Sequence, residues 1–138
     1  MVGNMNIVYI SGVWDLFHIG HLNALENARR LGDMLIVGVV TDEFCAEYKG
    51  EMPVIPFEER RHIVESLRCV NATVPVTSFD IPPLEYRVSI RAHGPGYGQY
   101  QGQQALLRKI ANMGIEAVYI PRTEGVSTTI IKERIRGK

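Results

Sequence analysis

Leu35-Ile36-Val37-Gly38-Val39-Val40 is an apolar run without alternation, and it constrains the chain more than any other segment. A strand with one wet face alternates polar and apolar residues. A strand that does not alternate is covered on both faces, the usual situation in a parallel sheet. Ile7-Val8-Tyr9-Ile10 is a second such run, short and β-branched. Parallel neighbours need a crossover, and the intervening residues supply one. Leu22, Leu25, Ala28 and Leu31 recur at helical spacing over about residues 20–31, and Gly32 stops the helix.

The alternation continues. Residues 41–56 read as a polar loop containing Lys49-Gly50. Pro56 opens a helix over about 57–68, with Phe57, Ile63, Val64 and Leu67 inward. Residues 72–76 read as a third strand, and Pro82-Pro83 breaks any helix there. Residues 86–92 set Tyr86, Val88 and Ile90 against Arg87, Ser89 and Arg91, which predicts a fourth strand with one solvated face. A Gly-rich loop over 93–102 follows, then a helix over about 103–113 with Leu106, Leu107, Ile110 and Met113 inward. Gly114 stops it. Ala117-Val118-Tyr119-Ile120 is the fifth strand, and a last helix runs from about Ser127 to Arg136, capped by Ser127 or Thr128. This order predicts an α/β fold: one Rossmann-like domain over 1–138, a mostly parallel five-stranded sheet with helices on both faces. Ligands in such sheets bind at the carboxyl ends of the strands.

Charge narrows the partners. Lys+Arg and Asp+Glu number 15 each, which argues against a nucleic-acid coat or a polybasic membrane binder. Residues 1–59 carry 3 basic against 9 acidic side chains, and residues 60–138 carry 12 against 6. A basic second half suits a small polyanionic ligand reached from one side; the alternative is that both halves mix on one surface. No apolar run approaches the ~18 residues of a membrane span, and the first residues show no leader pattern. The expected location is cytoplasmic. Cys45 and Cys69 fall in no metal or disulfide spacing, and no protein-held metal site is expected.

His18-Ile19-Gly20-His21 lies between the first strand and the first helix. A helix N-terminus carries partial positive charge and free N–H groups, so it attracts phosphate. Gly20 lets the backbone approach an anion, and two imidazoles beside it can donate to phosphoryl oxygens as charge develops. The plainer reading is two capping or solvent-facing histidines. Zinc is disfavoured because no third ligand lies nearby. The turn Gly12-Val13-Trp14-Asp15 has no G-x-G-x-x-G pattern, which excludes a dinucleotide oxidoreductase of the usual kind.

Residues 12–21, G-V-W-D-L-F-H-I-G-H, resemble the signature of the HxGH nucleotidylyltransferase superfamily, and residues 30–43, R-L-G-D-M-L-I-V-G-V-V-T-D-E, strengthen the likeness. Residues 122–129, R-T-E-G-V-S-T-T, are similar to the CTP-binding segment of glycerol-3-phosphate and phosphoethanolamine cytidylyltransferases. The resemblance implies nucleotidyl transfer from CTP to a small phosphorylated acceptor, with release of pyrophosphate and with Mg²⁺ held mainly by nucleotide phosphates. It implies that His18 and His21 hold the α- and β-phosphates, and that Lys49 closes on them. Asp15 would shape the turn, with Gly12, Val13, Trp14 and Gly20 around the nucleotide. Arg60 and Arg68 align with arginines near phosphate, and Arg122 with a nucleotide-binding arginine. Thr123, Gly125, Ser127, Thr128 and Thr129 would complete the nucleotide site. Asp42, Arg68, His93 and Tyr97 would face the acceptor. A homodimer is also implied, with residues 68–77 in its contact.

Two departures stand out. Val13 replaces a usual threonine. After the fourth strand, His93-Gly94-Pro95-Gly96-Tyr97-Gly98-Gln99-Tyr100 carries none of the carboxylates such relatives place there. His93, Tyr97, Gln99 and Tyr100 offer neutral hydrogen bonds and stacking instead. Two rival functions remain: an adenylyltransferase using ATP with FMN or a phospho-sugar, and a nucleotide-binding protein without turnover.

Overall fold

The computed structural model describes residues 5–79, 87–94 and 97–137. Strands β1 (Ile7–Gly12), β2 (Met34–Val40), β3 (Ala72–Val76), β4 (Val88–His93) and β5 (Glu116–Tyr119) form one sheet. Its order is β3-β2-β1-β4-β5, and every pairing is parallel. The expected single α/β sheet is therefore present, with Tyr9 opposite both Ile36 and Arg91.

The unalternating run is buried from Leu35 to Val40 because helices cover both faces. Leu35, Val37 and Val39 pack with Leu25 and Ala28 of α1 (Ile19–Arg29) and Val64 of α3 (Phe57–Glu65). On the other face Val40 packs with Phe44 and Cys45, and α4 (Gln101–Asn112) contributes Leu106 and Ile110. The last helix, α5 (Thr128–Ile135), has no buried residue. Fully burying a Val, Leu or Ile side chain gives roughly 1.5–3 kcal/mol, so this two-faced core dominates the stability.

Several expectations need correction. Residues 41–56 are not all loop: α2 spans Asp42–Lys49. The Phe44 N–H donates to Thr41 Oγ1 at 3.2 Å, and Gly50 ends the helix at φ 84°. Ile63 and Met113, expected inward, are about half exposed; the buried positions on α3 are Arg60 and Val64. Arg91, expected on a solvated face, is 2% exposed. Its strand is covered by α4 and by the chain around Tyr97. Tyr86, Pro82-Pro83 and the Pro95-Gly96 part of the Gly-rich loop lie outside the described residues.

Candidate active site

The turn after β1 is held in an uncommon shape. Trp14 and Leu16 both adopt positive φ, 57° and 49°, which costs non-glycine residues energy unless the surroundings fix it. Here the surroundings do. Trp14 Nε1–H donates to the Gly38 carbonyl at 2.9 Å. The Asp15 carboxylate accepts from Leu16, Val54 and Ile55 N–H at 3.1, 2.7 and 2.9 Å. The Asp15 carbonyl accepts from Thr128 Oγ1 at 3.1 Å. Asp15 thus ties two distant segments, Val54-Ile55 and Thr128, to this turn.

That turn delivers His18 as the N-cap of α1. Gly20 N–H donates to His18 Nδ1 at 3.0 Å, and His18 N–H donates to His21 Nδ1 at 3.2 Å. The rings stack with centroids 3.8 Å apart. A Cβ at position 20 would sit 2.9 Å from His18 Cε1, so glycine makes room for the cap. Since both Nδ1 atoms accept, each neutral ring carries its proton on Nε2. Burial pushes His18 below the usual imidazole value. His21 is pushed down to about 4, by burial first and by His18 second, with Asp15 opposing. Near pH 7 both rings are neutral Nε2–H donors. Capping and phosphate donation are therefore compatible, because they use opposite nitrogens.

His21 lines a cavity of about 340 Å³, walled by Ser11 to Asp15 of the first turn, by Tyr48 and Lys49 of α2, by Gly94 and Tyr97 after β4, and by Thr128. It opens at the carboxyl ends of β1 and β4, where an α/β sheet places ligands. Gly12, Val13 and Trp14, expected around the nucleotide, line this cavity. Lys49 also reaches it, from the last turn of a helix and not from a loop. Lys132, which lies 3.8 Å from Glu51, was not anticipated there; neither were Tyr48 and Gln103. Burial drives the Tyr48 phenol far above its usual range, so it remains a donor.

Arg60 and Asp42 have another task. Arg60 is 1% exposed. Its Nε donates to Ile55 O at 2.7 Å, its Nη1 to Val13 O and Val40 O at 2.7 and 2.8 Å, and its Nη2 to Asp42 Oδ1 at 2.6 Å. Asp42 also accepts from Phe57 N–H at 3.3 Å. Neither lines the cavity. The pair supports the wall from behind, which corrects the expected phosphate and acceptor contacts. Arg68 is exposed beyond α3 and away from the cavity.

On the other wing, Asn23 Nδ2 donates to Thr123 Oγ1 at 3.1 Å. Thr123 Cβ lies 3.9 Å from where a Gly20 Cβ would be. The segment carrying Arg122, which is exposed, therefore runs beside the first turn of α1. Gly125 turns the chain at φ 78°. Ser127 Oγ accepts from Ile130 N–H at 3.1 Å as the N-cap of α5, and Thr129 is exposed. His93 lies outside the cavity wall, its ring 5.7 Å from that of Tyr97, and burial lowers its pKa.

Fold and site together define a parallel α/β enzyme of nucleotidyl-transfer type, with neutral imidazole donors at the first helix. The chain belongs to the cytidylyltransferase-like family, which matches residues 9–134. It is 35% identical to glycerol-3-phosphate cytidylyltransferase of Bacillus subtilis, over 96% of this chain and 99% of that one. It is 36% identical to ethanolamine-phosphate cytidylyltransferase of Arabidopsis thaliana, over 93% of this chain and 32% of that one. Among solved structures, the lipopolysaccharide core biosynthesis protein of Thermoplasma volcanium is similar at TM-score 0.65 and 25% identity, covering 86% of this chain and 97% of that one.

Proposed function

We propose that the chain transfers a cytidylyl group from CTP to a small phosphorylated acceptor such as a phospho-alcohol. The observation that carries this reading is the pair of imidazoles fixed as Nε2–H donors, with His21 on the cavity wall and family relatives that are cytidylyltransferases. An acceptor phosphate oxygen attacks the α-phosphorus in line. The new P–O bond forms as the bond to the β-phosphate oxygen breaks, and pyrophosphate leaves. The nucleophile is already anionic, so no general base is needed. His18, His21, Lys49 and Arg122 stabilise the charge, and positioning supplies much of the rest.

Among the described residues, no group of three or more His, Cys, Asp or Glu could hold a metal. The Asp15 carboxylate is taken by three backbone donors. This donor set fits a Mg²⁺ that arrives on the nucleotide's phosphates, with Glu51 the other carboxylate on the cavity wall. When bound, the ion would offset charge on the leaving pyrophosphate. CTP is favoured over ATP by the R-T-E-G-V-S-T-T segment beside α1. The expected assembly is a homodimer using residues 68–77, which include β3 at the sheet edge. No described helix is long and apolar enough to cross a membrane.

Pyrophosphate release with CTP and with ATP, over a panel of phospho-alcohols, phospho-sugars and FMN, tests the reading. CTP-dependent release is expected with a phosphate monoester. His18→Ala and His21→Ala should each lower it by about 10²-fold or more, the scale of one lost oxyanion donor. Preference for ATP, or near-wild-type turnover in both variants, would overturn the assignment.

A further inference from the structure

Behind the main cavity is a second recess of about 60 Å³. The two share Ser11, Gly12, Tyr48, Tyr97 and Gln103 in their walls, so the recess is a back room of the same site. A water needs ~10–15 Å³ measured in this way, so the recess has room for a carboxylate or phosphate group. Its polar floor is Arg91.

Arg91 is 2% exposed. Its guanidinium lies 4.8 Å from the Tyr9 ring centroid and 4.9 Å from that of Tyr97. Nη2 donates to Ser11 Oγ and to Tyr97 Oη, both at 2.8 Å. Among the described residues Nε and Nη1, both closed off from solvent, have no hydrogen-bond partner, which leaves three N–H groups unused. Among the described residues no ion pair reaches it, and no acidic side chain lines the recess. A buried charge with neither counter-ion nor full hydrogen bonding is costly, and a tyrosine sandwich offsets only part of that cost. An anion in the recess would lie against a buried guanidinium that has no counter-ion among the described residues, in a site where water screens little.

We infer that the recess binds a second anionic group of the acceptor, at the end away from the reacting phosphate, and that Arg91 selects for it. The preferred acceptor is then a small phosphate monoester that also bears a carboxylate or a second phosphate, and not one ending in a neutral diol or an amine. This rests on the transfer reading for what the acceptor does there, but not for the anion site itself.

The test is direct titration of wild-type protein with 3-phosphoglycerate, glycerol 1,3-bisphosphate, glycerol-3-phosphate and phosphoethanolamine, with and without CTP. The two probes with an anionic far end distinguish carboxylate from phosphate. At least one should bind about 10- to 100-fold more tightly than the neutral and amine probes, the scale of a charge-assisted contact. Arg91→Met should bring that ratio near one, and Arg91→Lys should keep part of it. Equal or tighter binding of glycerol-3-phosphate or phosphoethanolamine by the wild type would overturn the inference, whether or not a variant folds. A ratio unchanged in folded Arg91→Met would do the same. Pyrophosphate release in parallel separates the two claims. Discrimination without turnover sinks the transfer reading and keeps the anion site, whereas turnover without discrimination does the reverse.

Discussion

Acidification should weaken this fold through one side chain in particular. In the unfolded chain His21 titrates near 6.5, whereas in the fold it is held down to about 4. Between these values the unfolded chain binds the proton and the folded chain does not, so stability falls as pH falls across that window. The contribution is complete above the unfolded pKa and gone below the folded one. At 1.36 kcal/mol per pH unit the full span amounts to roughly 3 kcal/mol, and screening at the ring's open edge brings it nearer 2. His21→Gln keeps an acceptor for His18 N–H but cannot titrate. Urea unfolding of both proteins between about pH 7 and about pH 4.5 should show the wild type losing ~2–3 kcal/mol more than the variant. An NMR titration of the ring supplies the second readout, with the neutral form protonated at Nε2. Parallel pH profiles in the two proteins, or a ring titrating at or above its ordinary value, would refute both the burial argument and the assigned tautomer. Nucleotide phosphate beside Nε2 should raise the ring's pKa, so CTP should protect most strongly at the acidic end.

Arg60→Met removes four hydrogen bonds, leaving three carbonyls without that donor and Asp42 without its counter-ion; a loss of about 3–5 kcal/mol in urea unfolding is expected, and less than about 1 would deny the buttress. Arg122→Ala should weaken CTP binding by roughly 10- to 100-fold by calorimetry, with little change in acceptor binding; the opposite split would move Arg122 out of the nucleotide site. Sedimentation at micromolar concentration should give a dimer that Val74→Arg, on edge strand β3, disrupts; a monomeric wild type would remove the assembly.

What could be read in advance follows from range. The unalternating strand and the helical spacing of Leu25 and Ala28 are local patterns that survive folding, and so is the cap at His18-Gly20. Helix α2 escaped notice because it is 8 residues long and buries only Phe44 and Cys45, too few to show a period. The burial of Arg60, expected near phosphate, and of Arg91, expected on a solvated face, escaped for a different reason. A charged residue in a periodic segment predicts solvent, and both are buried only because partners distant in sequence surround them. For Arg60 these are Val13 and Val40; for Arg91 they are Tyr9 and Ser11. Ile63 and Met113 are the converse, apolar residues at inward spacing that stay about half exposed.

The strand order β3-β2-β1-β4-β5 also decides when the site comes into being. The first three strands pair among residues 7–76, so the first portion of a growing chain can collapse on itself with its two histidines already stacked. The wall that carries Arg91 must then return to β1 from far along the chain, pairing Val88 with Ile7, and the Thr128 tether to Asp15 comes later still. Long loop closures are slow. A nascent chain should therefore acquire a half-built phosphate cradle early and a closed cavity only as its final helix docks. Nucleotide affinity would then be among the last properties to appear on folding, and CTP added during refolding would capture the finished molecule without hastening the early steps.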